Sequence, residues 1–76
     1  MKDFDKNLLI SLGTKLRTYR LQKNFSQEKF AELTELDRTY ISGLERGKRN
    51  PSYIIIKRLC EKLEISPNKL FEIEGE

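Results

Sequence analysis

Histidine and tryptophan are missing from this sequence altogether, and cysteine occurs once, as Cys60. Without histidine, the commonest acid–base catalyst and a favoured metal ligand are gone. A lone cysteine permits no intramolecular disulfide and leaves no zinc set. No catalytic triad, glycine-rich phosphate loop or plausible acid–base pair is present, so the sequence predicts no enzyme, no metal and no cofactor. Long apolar runs are scarce as well. Leu8 to Ile10 and Ile54 to Ile56 are far too short to span a bilayer. The opening Met-Lys-Asp-Phe-Asp has no signal-peptide hydrophobic region. These absences predict a soluble, cytoplasmic protein with no membrane partner and no small-molecule substrate.

The 76 residues fit one domain, 1–76. A chain this short buries a smaller share of its surface than a large domain, so a partner subunit covering apolar surface would help it. Lys plus Arg total 15 against 12 Asp plus Glu, a net charge of +3. The charge is unevenly spread. Lys15, Arg17, Arg20 and Lys23 form a basic stretch without an intervening acid, and Arg46, Lys48, Arg49, Lys57 and Arg58 form a second. The tail is acidic: Glu64, Glu72, Glu74 and Glu76 against Lys69. Two basic zones and an acidic end suggest one face for a polyanion and another for something else.

There is no repeat, low-complexity segment or Gly/Ser linker. The spacing predicts an all-α chain with five helices, over about 6–21, 27–33, 38–46, 53–63 and 67–72. Leu9, Leu12, Leu16 and Tyr19 recur on one face of the first. Asn24 suits a positive-φ exit, after which Phe25 turns back into the core. Ser26 caps the second helix, with Phe30 and Ala31 inward. Thr34 and Glu35 form the turn, Leu36 is a buried link, and Asp37 caps the third helix. That helix buries Ile41 and Leu44 and stops at Gly47. Ser52 caps the fourth, whose inner face is Tyr53, Ile56, Leu59, Cys60 and Leu63. Ser66-Pro67 starts a short fifth helix.

The second and third helices, joined by a tight turn, carry the functional reading. In a helix-turn-helix the second helix lies in the DNA major groove, its first residues reach base edges, and surrounding groups grip phosphates. Arg38 opens that helix with a planar fork that matches guanine O6 and N7. Thr39 and Ser42 supply further base contacts. Tyr40 suits a phosphate or sugar, and Gly43 leaves a gap where a longer side chain would stand off the groove. Gln27, at the start of the preceding helix, is placed for a phosphate. Arg46, Lys48, Arg49 and Asn50 follow and hold the DNA backbone.

The segment from Ser26 to Ser52 carries Ser26-Gln27, Phe30-Ala31, Ile41-Ser42, Glu45-Arg46-Gly47 and Pro51-Ser52 at a highly specific spacing. It resembles the Cro-like phage-repressor helix-turn-helix family, over about residues 12–71. Leu-Asp-Arg-Thr-Tyr-Ile-Ser-Gly at 36–43 most resembles the controller proteins of restriction–modification systems. The resemblance implies a lambda-repressor-like five-helix bundle, a homodimer and a (pseudo)palindromic operator. It implies base reading by Arg38, contacts from Thr39 and Tyr40, and phosphate contacts from Gln27, Arg46 and Asn50. It also implies a structural ion pair between Arg20 and Glu45. Controllers of this kind commonly activate their own and the endonuclease gene, and repress at high concentration. The family usually has glycine in the turn where this chain has Glu35. Either the turn differs or it tolerates strain.

Cys60 reads as a buried hydrophobe. Ile54, Ile55, Leu70, Phe71 and Ile73 exceed what one small bundle needs, and they predict an isologous dimer contact on the fourth and fifth helices. Glu28, Glu32 and Glu35 form a candidate patch for RNA polymerase. Within DNA binding, a prophage repressor or autoregulating antitoxin is the alternative; outside it, a protein-interaction module.

Overall fold

The computed structural model describes residues 2–71. The order is α1 (Asp3–Gln22), α2 (Gln27–Thr34), α3 (Arg38–Glu45), α4 (Tyr53–Leu63) and α5 (Asn68–Phe71). The described residues form an all-helical bundle. None of its helices is long and apolar enough to cross a membrane.

Helix starts follow cap chemistry, with two departures. The Ser26 hydroxyl accepts the Lys29 N–H at 2.9 Å, and the Ser52 hydroxyl accepts the Ile55 N–H at 3.2 Å. Each satisfies a donor the helix cannot satisfy itself. Asp37 occupies the cap position of α3 in extended backbone, but its side chain makes no cap hydrogen bond. α1 begins at Asp3, earlier than the apolar stripe indicated, without a side-chain cap. Asp3 and Asp5 favour the positive N-terminal end of the helix, which periodicity does not register. α5 opens one residue after Pro67. The Ser66 and Pro67 carbonyls accept the Lys69 and Leu70 N–H groups, both at 3.0 Å. The end expected at Glu72 lies outside the described residues.

α1 to α4 all end in the same way. Asn24, Glu35, Gly47 and Glu64 have φ of 61°, 58°, 73° and 57°. After each, the next residue's N–H reaches back to a carbonyl five residues earlier: Phe25 to Arg20, Leu36 to Ala31, Lys48 to Gly43, Ile65 to Cys60. This is the Schellman arrangement, and its following residue usually makes an apolar contact. Phe25, Leu36 and Ile65 do so, packing against the core. The Glu35 turn therefore keeps the left-handed geometry and bears the strain. Thr34 is not part of that turn. It closes α2, fully buried, with its hydroxyl donating to the Phe30 carbonyl at 2.7 Å.

The core collects Leu16, Phe30, Ile41, Leu44, Leu59, Cys60, Leu63 and Leu70, with Ala31 and Ile56 at its margins. Phe25 and Phe30 stack with ring centroids 6.2 Å apart. Tyr53 is not on the inner face of α4; it is 72% exposed. Its position in the first turn carries it past the end of the core that Ile56 and Leu59 reach. α1 crosses the end of α3 at Gly13, where a Cβ would come within 2.2 Å of the Leu44 carbonyl oxygen. Only a residue without a side chain permits that approach.

Candidate nucleic-acid interface

α2 and α3 meet so that their first turns border one shallow depression. Arg38 lines it together with Ser26, Gln27, Glu28, Lys29 and Glu32. Arg38 and Thr39 stand exposed at the start of α3, and Ser42 is half-buried one turn on. The fold thus brings the guanidinium of Arg38 to the same side as the N-terminus of α2 and the amide of Gln27. Two candidate polymerase-contacting acids, Glu28 and Glu32, border this same depression, and Lys29 Nζ lies 3.3 Å from a Glu32 carboxylate oxygen.

A buried network supports Gln27 from below. Arg20 is 5% exposed. Its Nε donates to Glu45 Oε2 at 2.6 Å, its Nη2 to Glu45 Oε1 at 3.0 Å and its Nη1 to the Phe25 carbonyl at 2.7 Å. Gln27 Nε2 donates to the same Glu45 Oε1 at 3.1 Å. The forked pair ties α1 to the end of α3, and the Gln27 amide is anchored to it.

Burial removes Arg20 from the first basic stretch. Lys23 of that stretch pairs with Glu64 across the α1 and α4 exits, and this contact holds the Glu64 carboxyl below its ordinary pKa. In the second basic zone, Arg58 Nη1 donates to the Thr34 carbonyl at 3.3 Å, and Lys57 Nζ sits 6.0 Å from the centre of the Tyr53 ring. Both belong to α4. Arg46, Lys48 and Arg49 remain exposed just beyond α3.

Gly43 does not open onto a gap. The Arg49 side chain covers it, with the Arg49 guanidinium carbon 5.6 Å from the Tyr40 ring centre. Tyr40 itself is half-buried against the core. Asn50 is exposed but borders a different feature, an apolar cleft lined also by Leu8, Leu9, Leu12, Pro51, Ile56, Leu70 and Phe71.

The apolar candidates divide. Ile54 is 69% and Phe71 56% exposed, whereas Ile55 is half-buried against the core. Leu70 is only 2% exposed; it fills this chain's own core and has no surface to give a partner. Ile73 lies outside the described residues. Ile54 and Phe71 border separate depressions, Ile54 beside Cys60, Ile65 and Pro67, and Phe71 beside Leu8. The exposed apolar side chains of Phe4 and Leu8 on α1 escaped the sequence reading. Leu8 stands off the Leu9–Leu12–Leu16 stripe, and that was its available signal. Cys60 is buried, and burial raises its thiol pKa against the opposing pull of Lys57.

A family model described as Helix-turn-helix matches residues 16–70. The control protein C.MunI of a Mycoplasma species is 42% identical over 72 residues, spanning 92% of this chain and 97% of that protein. The crystal structure of the restriction–modification controller protein C.AhdI from Aeromonas hydrophila superposes with a TM-score of 0.80 at 46% identity, covering 83% of this chain and 96% of that one. SinR, the master regulator for biofilm formation solved in complex with DNA, superposes with a TM-score of 0.77 at 27% identity, covering 80% and 98%. With its fold, its paired α2 and α3 and these relatives, the chain belongs to the helix-turn-helix family and is similar within it to the restriction–modification controller proteins.

Proposed function

We propose that this chain is a sequence-specific DNA-binding transcription regulator of the restriction–modification controller kind. The observation that carries the reading is the depression that Arg38 and Gln27 share, formed by the first turns of α2 and α3, with Thr39 exposed next to Arg38. Arg38 reads guanine in the major groove, Thr39 and Ser42 add base contacts, and Gln27 grips a phosphate through an amide held in place by Glu45. Arg46, Lys48 and Arg49 extend positive charge along the DNA backbone, and Tyr40 contacts it beside Arg49. Asn50 serves the backbone at the far end of that loop.

The bundle acts as one DNA-binding domain in the cytoplasm. Two copies pair through exposed apolar surface that includes Phe71 and Ile54, and they bind a palindromic operator controlling their own and the endonuclease gene. Glu28, Glu32 and Glu35 are the candidate contact to RNA polymerase. The family supports a regulator and not an enzyme.

The test is a gel shift with DNA from immediately upstream of the gene, over a salt series and against unrelated competitor DNA. A discrete complex that survives competitor and weakens steeply with salt is expected. Equal displacement by any DNA, or no complex there or at neighbouring promoters, overturns the reading.

A further inference from the structure

Gly43 lies inside α3, an eight-residue helix in which glycine is a poorer choice than alanine. Its backbone does not call for glycine, since Gly47 is the positive-φ glycine of the chain's described residues. Space does. A Cβ on Gly43 would lie 3.1 Å from Arg49 Cγ and 3.3 Å from Arg49 Nε, tighter than carbon ordinarily packs. The Arg49 side chain therefore rests directly on the helix. Its guanidinium carbon stands 5.6 Å from the centre of the Tyr40 ring, within cation–π range. The Lys48 N–H bonds the Gly43 carbonyl at 2.8 Å and fixes the backbone just before Arg49. The backbone before Arg49 and its aliphatic stem are held against α3, and its exposed guanidinium lies over the Tyr40 ring. On a helix, Tyr40 and Thr39 stand three and four residues before Gly43 and share its face. Arg49 is thus folded back from the loop onto the helix that carries Arg38.

We infer that Gly43 is a positioning residue for Arg49: its missing side chain forms a seat that orders Arg49 against α3 before DNA arrives. The inference rests on the DNA-binding reading for its consequence, and on α3 and the loop that follows it for its geometry. A long side chain ordered in advance loses less freedom on binding. Freeing it weakens binding by about 2- to 10-fold, the change expected for immobilising one flexible side chain.

The experiment is a double-mutant cycle of Gly43→Ala and Arg49→Ala on a specific DNA site. It is accompanied by thermal melting and by NMR of the Arg49 Nε–Hε group without DNA. Gly43→Ala is expected to melt no lower than wild type, to bind DNA about 2- to 10-fold more weakly and to loosen the Arg49 signal. In the Arg49→Ala background the same change costs nothing further. A loss of equal size with and without Arg49 overturns the inference, because Gly43 would then matter only as bulk at the DNA surface. So does an undiminished affinity in Gly43→Ala. If the wild-type protein binds no DNA, the regulator reading fails by itself. The DNA-free signal then decides the seat: loosened by Gly43→Ala, it stands; unchanged, it falls.

Discussion

Removing Arg20 by Arg20→Ala leaves the Glu45 carboxylate buried with the Gln27 amide as its remaining side-chain donor among the described residues, because Arg20 supplies two N–H donors to it. Breaking a buried pair in this way costs about 3–5 kcal/mol. A domain of this size is stable by roughly 4–11 kcal/mol at 0.05–0.15 kcal/mol per residue. Arg20→Ala is therefore expected to lower the urea midpoint severely or unfold the chain at room temperature, and to lose DNA binding only as a result. A variant that folds like wild type would contradict the burial of the pair. Arg38→Ala is the counterpart: an exposed arginine whose removal leaves the melt unchanged. The two arginines differ in neighbours and not in type. Composition counts them as equal, and only the local motif separates them.

The exits of α1 to α4 share one left-handed geometry, and two of the four place glutamate in it. Glu35 carries a φ of 58° that glycine would adopt without steric cost. Glu35→Gly is expected to raise stability by up to about 1 kcal/mol, after the larger entropy of glycine in the unfolded chain offsets part of the gain. Denaturant melts check it, and an unchanged or lowered midpoint would contradict the strain. Glu64 holds the same geometry but also pairs with Lys23. Its folded pKa lies below the ordinary value of 4.5. The pair's contribution is therefore present above that value and is lost as pH falls through the folded pKa. Lys23→Met is expected to flatten this acid-side dependence while leaving the rest of the pH profile alone.

The exits also mark how far the sequence could be read. Asn24 and Gly47 announced their turns because both residue types tolerate positive φ, and Ser26 and Ser52 announced their caps. Glu64 gave no such signal, since nothing intrinsic to glutamate favours that conformation and the packing of Ile65 imposes it. Tyr53 was misplaced because periodicity gives the angle around a helix and not the point along it where the core ends. Arg49 over Gly43 was illegible for another reason: the contact joins a loop to a preceding helix through space, and neither residue alone predicts it. Arg38 and Gln27, by contrast, open α3 and α2, positions that the caps and the turn had already located.

The described residues span 32 × 23 × 20 Å and carry a single α3, so one copy offers one helix to one major groove. A two-fold dimer would set two copies of α3 about 34 Å apart, one turn of DNA. Phe71 and Leu8 border the apolar cleft between α1 and α5, so Phe71→Lys places a charge at its rim. Wild type is expected to sediment as a dimer and that variant as a monomer that binds paired half-sites far more weakly while keeping its fold. Ile54→Lys, on the separate depression beside Cys60, tells which of the two surfaces dominates. Dimers that survive both changes would contradict the assignment of this apolar surface.

Whether α3 reads DNA through Arg38 is decided by selection from a random-sequence DNA library, with wild type and Arg38→Ala run side by side. Wild type is expected to enrich an inverted repeat with a guanine fixed in each half-site. Arg38→Ala is expected to lose that guanine preference, worth about 1–3 kcal/mol per contact, while retaining salt-dependent binding. Enrichment of the same sequence by both proteins, or of none by wild type, would contradict this role of Arg38.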